Sequence, residues 1–207
     1  KQKIKKIIYK TKEFSVENEK TNSFITYEVS LYFEKDSELK IKNLIRQIAD
    51  VTQNFYRIEK EIPPHITLGM FKATETQKGN LKKVIKKLQD EFNNFEKEEK
   101  MLNMNKLDSF KNKILFLTFP QNQNANKESV LFYLNKLIHS ELLKDLSPAN
   151  NNLYLPQNFY PHCTVATGLS LNQINKIFDD EQKLEIPKQL VFNRIALAVH
   201  NPFEIIL

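Results

Sequence analysis

The hexapeptide Pro63-Pro64-His65-Ile66-Thr67-Leu68 returns in near copy as Tyr160-Pro161-His162-Cys163-Thr164-Val165, and this repetition constrains the fold more than any other feature of the chain. Side chains on an extended strand alternate between faces, so residues i and i+2 project together. His65 and Thr67 therefore share one surface, with Ile66 and Leu68 buried behind them. His162 and Thr164 share another, backed by Cys163 and Val165. Proline before each histidine suits a strand entry, because it supplies no ladder donor and holds the preceding residue extended. The fold must present two imidazole and hydroxyl pairs on strands 162 − 65 = 97 residues apart.

Hydrophobic periodicity orders the rest of the chain around these strands. Residues 1–23 are lysine-rich and read as an arm, or at best an edge strand. From Phe24 to Phe33 the pattern alternates, with Ile25, Tyr27, Val29, Leu31 and Phe33 on one face and Thr26, Glu28 and Ser30 on the other, as in a half-buried strand. Asp36 or Ser37 is positioned to cap a helix running through Ile41, Leu44, Ile45, Ile48 and Val51. After a polar turn at 59–61 comes the first motif strand, then a helix beginning near Thr76 and running through Leu81, Ile85, Leu88 and Phe92. Strands are expected at 101–108 and 113–119, joined by a turn at 110–112. A polar loop at 121–126 leads to a helix through Val130, Leu134, Ile138 and Leu142, and an asparagine-rich stretch at 148–152 to the second motif strand. Ser170 or Asn172 caps a short helix, and strands at 189–199 and 203–207 close the chain.

With 207 residues the chain is long enough to bury a core of its own. Only 3 glycines, none in a cluster, exclude a P-loop or a dinucleotide fingerprint, which need glycines at fixed spacing. A single cysteine excludes an intramolecular disulfide and a cysteine-based zinc site and fits a reducing compartment. Neither a signal peptide nor an apolar run of the roughly 20 residues that span a bilayer is present, so a cytoplasmic protein is expected. The net charge of +6 comes almost entirely from lysine and favours a polyanionic partner, although a lysine-rich solvated surface gives the same balance.

Two histidines facing one space form a metal-free device for phosphodiester chemistry, one acting as general base and the other as general acid. Their ordinary pKa of about 6.5 lets both protonation states be populated near neutrality. A threonine beside each can donate to a nonbridging phosphate oxygen. Of 4 histidines, two share this context of preceding proline and threonine two residues on. Tyr160 and Phe71 stand near the motifs as possible stacking surfaces for a base, and Arg194 as a possible phosphate contact. His139 reads as a surface or helix-end residue and His200 as part of a turn. No His-x-x-x-His or His/carboxylate cluster supports a metal site.

The tetrapeptides His65-Ile66-Thr67-Leu68 and His162-Cys163-Thr164-Val165 resemble the paired His-hydrophobic-Thr/Ser-hydrophobic motifs of the 2H phosphoesterases, also called LigT-like or 2′-5′ RNA ligase-like proteins. In element order the resemblance runs from about Phe24 to Leu207. It implies an α+β fold made as a bilobal, pseudo-symmetric duplication over 24–207, with two antiparallel sheets lining a central cleft and helices on the outer faces. It further implies hydrolysis of 2′,3′-cyclic or 2′-5′ phosphodiesters in RNA ends or small nucleotides, with a 2′-phosphate product, by a monomer needing no metal, cofactor or membrane. His65 and His162 would be the acid-base pair, and Thr67 and Thr164 would bind phosphate. Many members carry arginine five residues after the second motif histidine, where this chain has Thr167. Degradation of cyclic or 2′-5′ oligonucleotide signals, and nonenzymatic RNA binding, are the competing readings.

Overall fold

The computed structural model describes residues 23–111, 113–120, 129–142, 144, 146–149 and 152–207. The lysine-rich stretch up to residue 22 and the polar loop at 121–126 lie outside the described residues.

The described residues form a mixed protein of helices and two antiparallel sheets. In the larger, six-stranded sheet, β1 (Ile25–Phe33) is central, between β2 (His65–Ala73) and β8 (Leu190–Val199). Two short strands, β3 (Met101–Leu102) and β9 (Glu204–Ile205), pair with β8, and β6 (Ser147–Pro148) pairs with β2. The smaller sheet holds β4 (Lys106–Phe110), β5 (Ile114–Thr118) and β7 (Cys163–Thr167) in that order. The helices are α1 (Lys35–Thr52), α2 (Tyr56–Glu59), α3 (Lys78–Asn93), α4 (Val130–Leu142) and α5 (Leu171–Asp179).

Each helix follows from its apolar stripe. In α1 the residues at helical spacing, Ile41, Leu44, Ile45 and Ile48, are all buried, as are Leu81, Ile85, Leu88 and Phe92 of α3. The cap expected at Asp36 or Ser37 falls elsewhere: α1 starts at Lys35 behind Glu34, and Ser37 is buried with its Oγ accepting the Val191 N–H at 2.9 Å. That serine serves β8 instead of the helix end. Ser170 does cap α5, accepting the Gln173 N–H while the Gln173 side chain accepts the Ser170 N–H at 2.8 Å. Ahead of α3 the same reciprocal pattern joins Thr74 and Gln77 across a short 3-10 turn, so the helix itself begins at Lys78.

Two expectations are corrected here. The alternating strand is not half-buried: from Tyr27 to Phe33 every residue of β1 is buried, Glu28 to 3% and Ser30 to 0% exposure. Strands on both edges enclose it, and its polar face is occupied by the histidine site described below. The segment 101–108 is two strands, not one, because Met101 pairs with Val191 in the large sheet while Lys106 pairs with Thr118 in the small one. The chain passes there from one sheet to the other.

Both motif strands are bulged at the same motif position. Against β1, Thr67 pairs with Ser30 and Gly69 with Val29, leaving Leu68 as the extra residue. Against β5, Thr164 pairs with Phe116 and Ala166 with Leu115, leaving Val165 extra. A bulge bends its strand and re-aims neighbouring side chains, and here it follows each threonine directly. The two sheets share one hydrophobic cluster, in which Leu31, Ile66 and Leu68 join Leu115, Leu117 and Val165. Polar ties reinforce it: Asn54 Nδ2 donates to the Thr167 carbonyl at 3.1 Å and Gln173 Nε2 to the Thr52 carbonyl at 2.6 Å.

Candidate active site

The two motif histidines are held by one local device. His65 Nδ1 lies 2.8 Å from the carbonyl of Pro63, and His162 Nδ1 lies 2.8 Å from the carbonyl of Tyr160. In each case the proline between fixes its own φ and keeps the residue before it extended, so that the carbonyl two positions back meets the ring. Each Nδ1 therefore carries a proton and donates it to that carbonyl.

At Nε2 the two rings differ. His65 Nε2 is 2.9 Å from Oε1 of Glu28 on the neighbouring strand β1, and both side chains are largely enclosed. The same carboxylate accepts hydrogen bonds from Ser30 Oγ at 2.7 Å and Thr67 Oγ1 at 3.1 Å, while its Oε2 faces His200 Nδ1 at 3.1 Å. Burial is the largest influence on Glu28 and pushes its pKa up, but the charge of His65 and the hydrogen bonds from His200, His65 and Ser30 outweigh it. The carboxyl is held well below the usual range and is ionised. His65 thus has an oxygen partner at each ring nitrogen.

His162 Nε2 has no hydrogen-bond partner among the described residues. Its ring sits between Phe110, edge-on at 5.0 Å between centroids, and Phe116 at 5.2 Å. Burial in this aromatic surround lowers its pKa against the opposing bond to Tyr160, and the charge of His65 lowers it further. The neutral ring is favoured, with an open lone pair on Nε2.

The motif strands are neighbours across the junction of the sheets. The thiol of Cys163, buried and pushed up to about 11 by that burial, is hydrogen-bonded to the backbone of His65. Thr67 is 9% exposed and engaged by Glu28 and by the Tyr154 hydroxyl, whose pKa burial raises to about 12. The Thr164 hydroxyl has no partner among the described residues. His65 lies near enough to His162 for its charge to act on the second ring.

Of the other sequence candidates, Tyr160 is 46% exposed with its ring beside Phe110 and Phe116. Arg194 is exposed on β8, its guanidinium 5.2 Å from the centre of the Tyr32 ring, which itself lies against His65. Phe71 is corrected: it is fully buried, packed on His139, and offers no face to a base. His139 is likewise no surface residue but 4% exposed, with Nδ1 at 2.7 Å from the Asn135 carbonyl. His200, read as a turn residue only, reaches Glu28.

Sequence reasoning missed Glu28, Ser30, Tyr154 and Phe203, whose ring stacks on His65 at 5.9 Å. For Glu28 and Ser30 the sequence gives only an ambiguous sign, since polar residues alternating on a strand face can face a site as well as solvent. Tyr154 and Phe203 lie in irregular segments, which carry no period to read.

Among the described residues no grouping of three or more His, Cys, Asp or Glu side chains could hold a metal ion, and no helix is long and apolar enough to cross a membrane. A family model described as the 2'-5' RNA ligase superfamily matches residues 37–202, a span that contains both motifs and begins beyond β1. Among curated proteins no sequence matches.

Proposed function

We propose, since this chain belongs to the 2′-5′ RNA ligase superfamily of LigT-like 2H phosphoesterases, that it is a metal-independent phosphodiesterase. Its substrates on this reading are 2′,3′-cyclic or 2′-5′ phosphodiesters of RNA ends or small nucleotides, bound in the groove between the motif strands. The superfamily acts on RNA and nucleotide substrates through phosphodiesterase and ligase-type chemistry, and hydrolysis is the direction favoured here.

The observation that carries the reading is the unequal bonding of the two imidazoles. His162 offers an unprotonated Nε2 and is the general base, whereas His65 presents a protonated Nε2 and is the general acid. In the hydrolytic step His162 Nε2 takes a proton from water as its oxygen attacks phosphorus. The bond from phosphorus to the ribose 3′ oxygen breaks, and that oxygen receives the Nε2 proton of His65 once substrate has drawn the ring away from Glu28. A 2′-phosphate and a free 3′-hydroxyl result, and proton exchange with solvent restores both rings. Thr164 donates to a nonbridging oxygen as negative charge grows there. Thr67 does the same once substrate draws its hydroxyl from Glu28. On this reading the exposed side chains of Tyr160 and Arg194 would serve a base and a further phosphate.

The test is incubation of the purified chain with 2′,3′-cyclic nucleotides, cyclic dinucleotides and 2′-5′ oligoadenylate in the presence of a chelator, beside His65→Ala and His162→Ala. Cleavage that survives chelation and drops by about 10²- to 10⁴-fold in each variant is expected. Cleavage confined to the cyclic dinucleotides or 2′-5′ oligomers would redirect the reading to signal degradation. Intact substrates with retained RNA binding would leave a binding module, and loss of activity with chelator would end the metal-free mechanism.

A further inference from the structure

Beside the first motif threonine stands a hydroxyl that comes from outside both motifs. Tyr154, in the irregular segment between β6 and β7, sets its phenol against the Thr67 side chain and within reach of the Glu28 charge. Thr67 Oγ1 in turn donates to Glu28 Oε1 at 3.1 Å, and that oxygen is 2.9 Å from His65 Nε2. The Tyr154 hydroxyl therefore belongs to the same cluster as the first imidazole.

Irregular segments are commonly mobile, but this one is tied to the motif strand. Asn135 of α4 is fully buried, and its Nδ2 donates to the Leu68 carbonyl at 2.7 Å and to the Tyr154 carbonyl at 2.8 Å. Leu68 is the extra residue of the bulge that follows Thr67. One amide group, using both of its protons, thus joins the motif backbone at its bulge to the backbone of Tyr154. Its Oδ1 is buried with no hydrogen-bond partner among the described residues, a cost that an apolar side chain in this place would not incur. The Tyr154 ring is partly buried and packs against the core, which fixes the phenol further.

Hydrogen-bonding capacity decides what this phenol can do. Thr67 has one hydroxyl proton and gives it to Glu28, so towards Thr67 Oγ1 the tyrosine is the donor. Its proton rests on a neutral oxygen, and an anionic phosphoryl oxygen is a better acceptor, because charge-assisted bonds are roughly twice as strong. Thr67 must leave an ionised carboxylate to make such a bond, whereas Tyr154 leaves only a hydroxyl. Burial, with the Glu28 charge behind it, raises the phenol to about 12, so it keeps its proton across the neutral range.

We propose that Tyr154 is a further phosphate-binding residue of the motif groove, its hydroxyl donating to a nonbridging oxygen of the substrate's phosphoryl group. It acts from the His65 side, and Thr164 acts from the other. The inference rests on the motif groove being the phosphoryl site.

Tyr154→Phe removes the hydroxyl and keeps the ring that packs on the core. Its kcat/KM for adenosine 2′,3′-cyclic phosphate is expected to fall by about 10- to 100-fold. Sulfur at a nonbridging position separates direct contact from a structural role. It accepts hydrogen bonds poorly, so one phosphorothioate diastereomer should be cleaved more slowly than the oxygen substrate by the wild type, and that penalty should shrink by about tenfold in Tyr154→Phe. Calorimetry with adenosine 2′-monophosphate keeps this inference apart from the hydrolytic reading. Binding that weakens by about tenfold in Tyr154→Phe, with no phosphodiester cleaved by the wild type, would support the contact and end the hydrolytic reading. Isotherms that superimpose, or a sulfur penalty of the same size in both proteins, would overturn the role given to Tyr154.

Discussion

The Nε2 of His65 and the Oε1 of Glu28 lie 2.9 Å apart, across two paired strands, in a position almost closed to solvent. Glu28 thus fixes the ring that carries its proton at Nε2, and it does so from a strand that contributes no motif residue. Replacing Glu28 by Gln keeps the volume and removes the carboxylate that faces His65 Nε2 at 2.9 Å. The rate against pH is expected to be bell-shaped in the wild type, with a neutral His162 setting the acid limb. Glu28→Gln is expected to lower kcat by about 10- to 100-fold, because the ring that Glu28 orients is no longer held in place. An unchanged kcat would show that the carboxylate does not position His65.

Glu28 also links stability to acid. Its folded pKa lies well below the unfolded carboxylate value of about 4.3, so its contribution is complete above that value and is lost as pH falls through the folded pKa. Acid unfolding of Glu28→Gln should therefore be shallower than that of the wild type, measured as denaturant midpoint against pH below about 4.3. An identical slope would contradict the depressed pKa.

His139 acts in the same direction at higher pH. Buried against Phe71, it has its pKa lowered by burial, with the bond to the Asn135 carbonyl opposing. The unfolded chain binds a proton at this side chain below about 6.5 and the folded chain resists it, so stability falls as pH drops from that value through the folded pKa. His139→Leu removes this proton uptake. Between about pH 7.5 and 5.5 its melting temperature should decline less than that of the wild type.

Gly69 marks a close approach just past the first bulge. A Cβ built there would stand 2.7 Å from Phe71 Cε2, 2.9 Å from Phe71 Cζ and 3.3 Å from His139 Cε1. Phe71 is fully buried and cannot swing aside. Gly69→Ala is expected to cost about 1–3 kcal/mol, the range for overpacking, read from the denaturant midpoint at constant slope. A variant as stable as the wild type would mean that the Phe71 pocket yields.

Much of this architecture is legible in the sequence because period and position agree. The i, i+2 spacing of His65 and Thr67, the buried residues behind them and the Ser170 cap all rest on local geometry. What escaped rests on distant contacts. Nothing local distinguishes Glu28 facing a histidine from Glu28 facing water, since the difference lies in β2 and β8 closing around β1. Met101–Leu102 and Lys106–Phe110 read as one strand because period alone cannot tell which sheet a strand joins. His139 falls on a helix whose opposite sides differ only in what packs on them, and the bulges at Leu68 and Val165 appear only when both partner strands are known.

The roles assigned to the two imidazoles can be separated by changing the leaving atom. A 2′,3′-cyclic substrate with sulfur in place of the 3′ bridging oxygen releases a thiolate, which needs no proton from an acid. Hydrolysis of this substrate by His65→Ala should recover to within about tenfold of the wild type, while His162→Ala, lacking the base, stays inactive on sulfur and oxygen substrates alike. Rescue of His162→Ala with no rescue of His65→Ala would reverse the assignment and contradict the account of how Glu28 and the aromatic surround divide the two rings.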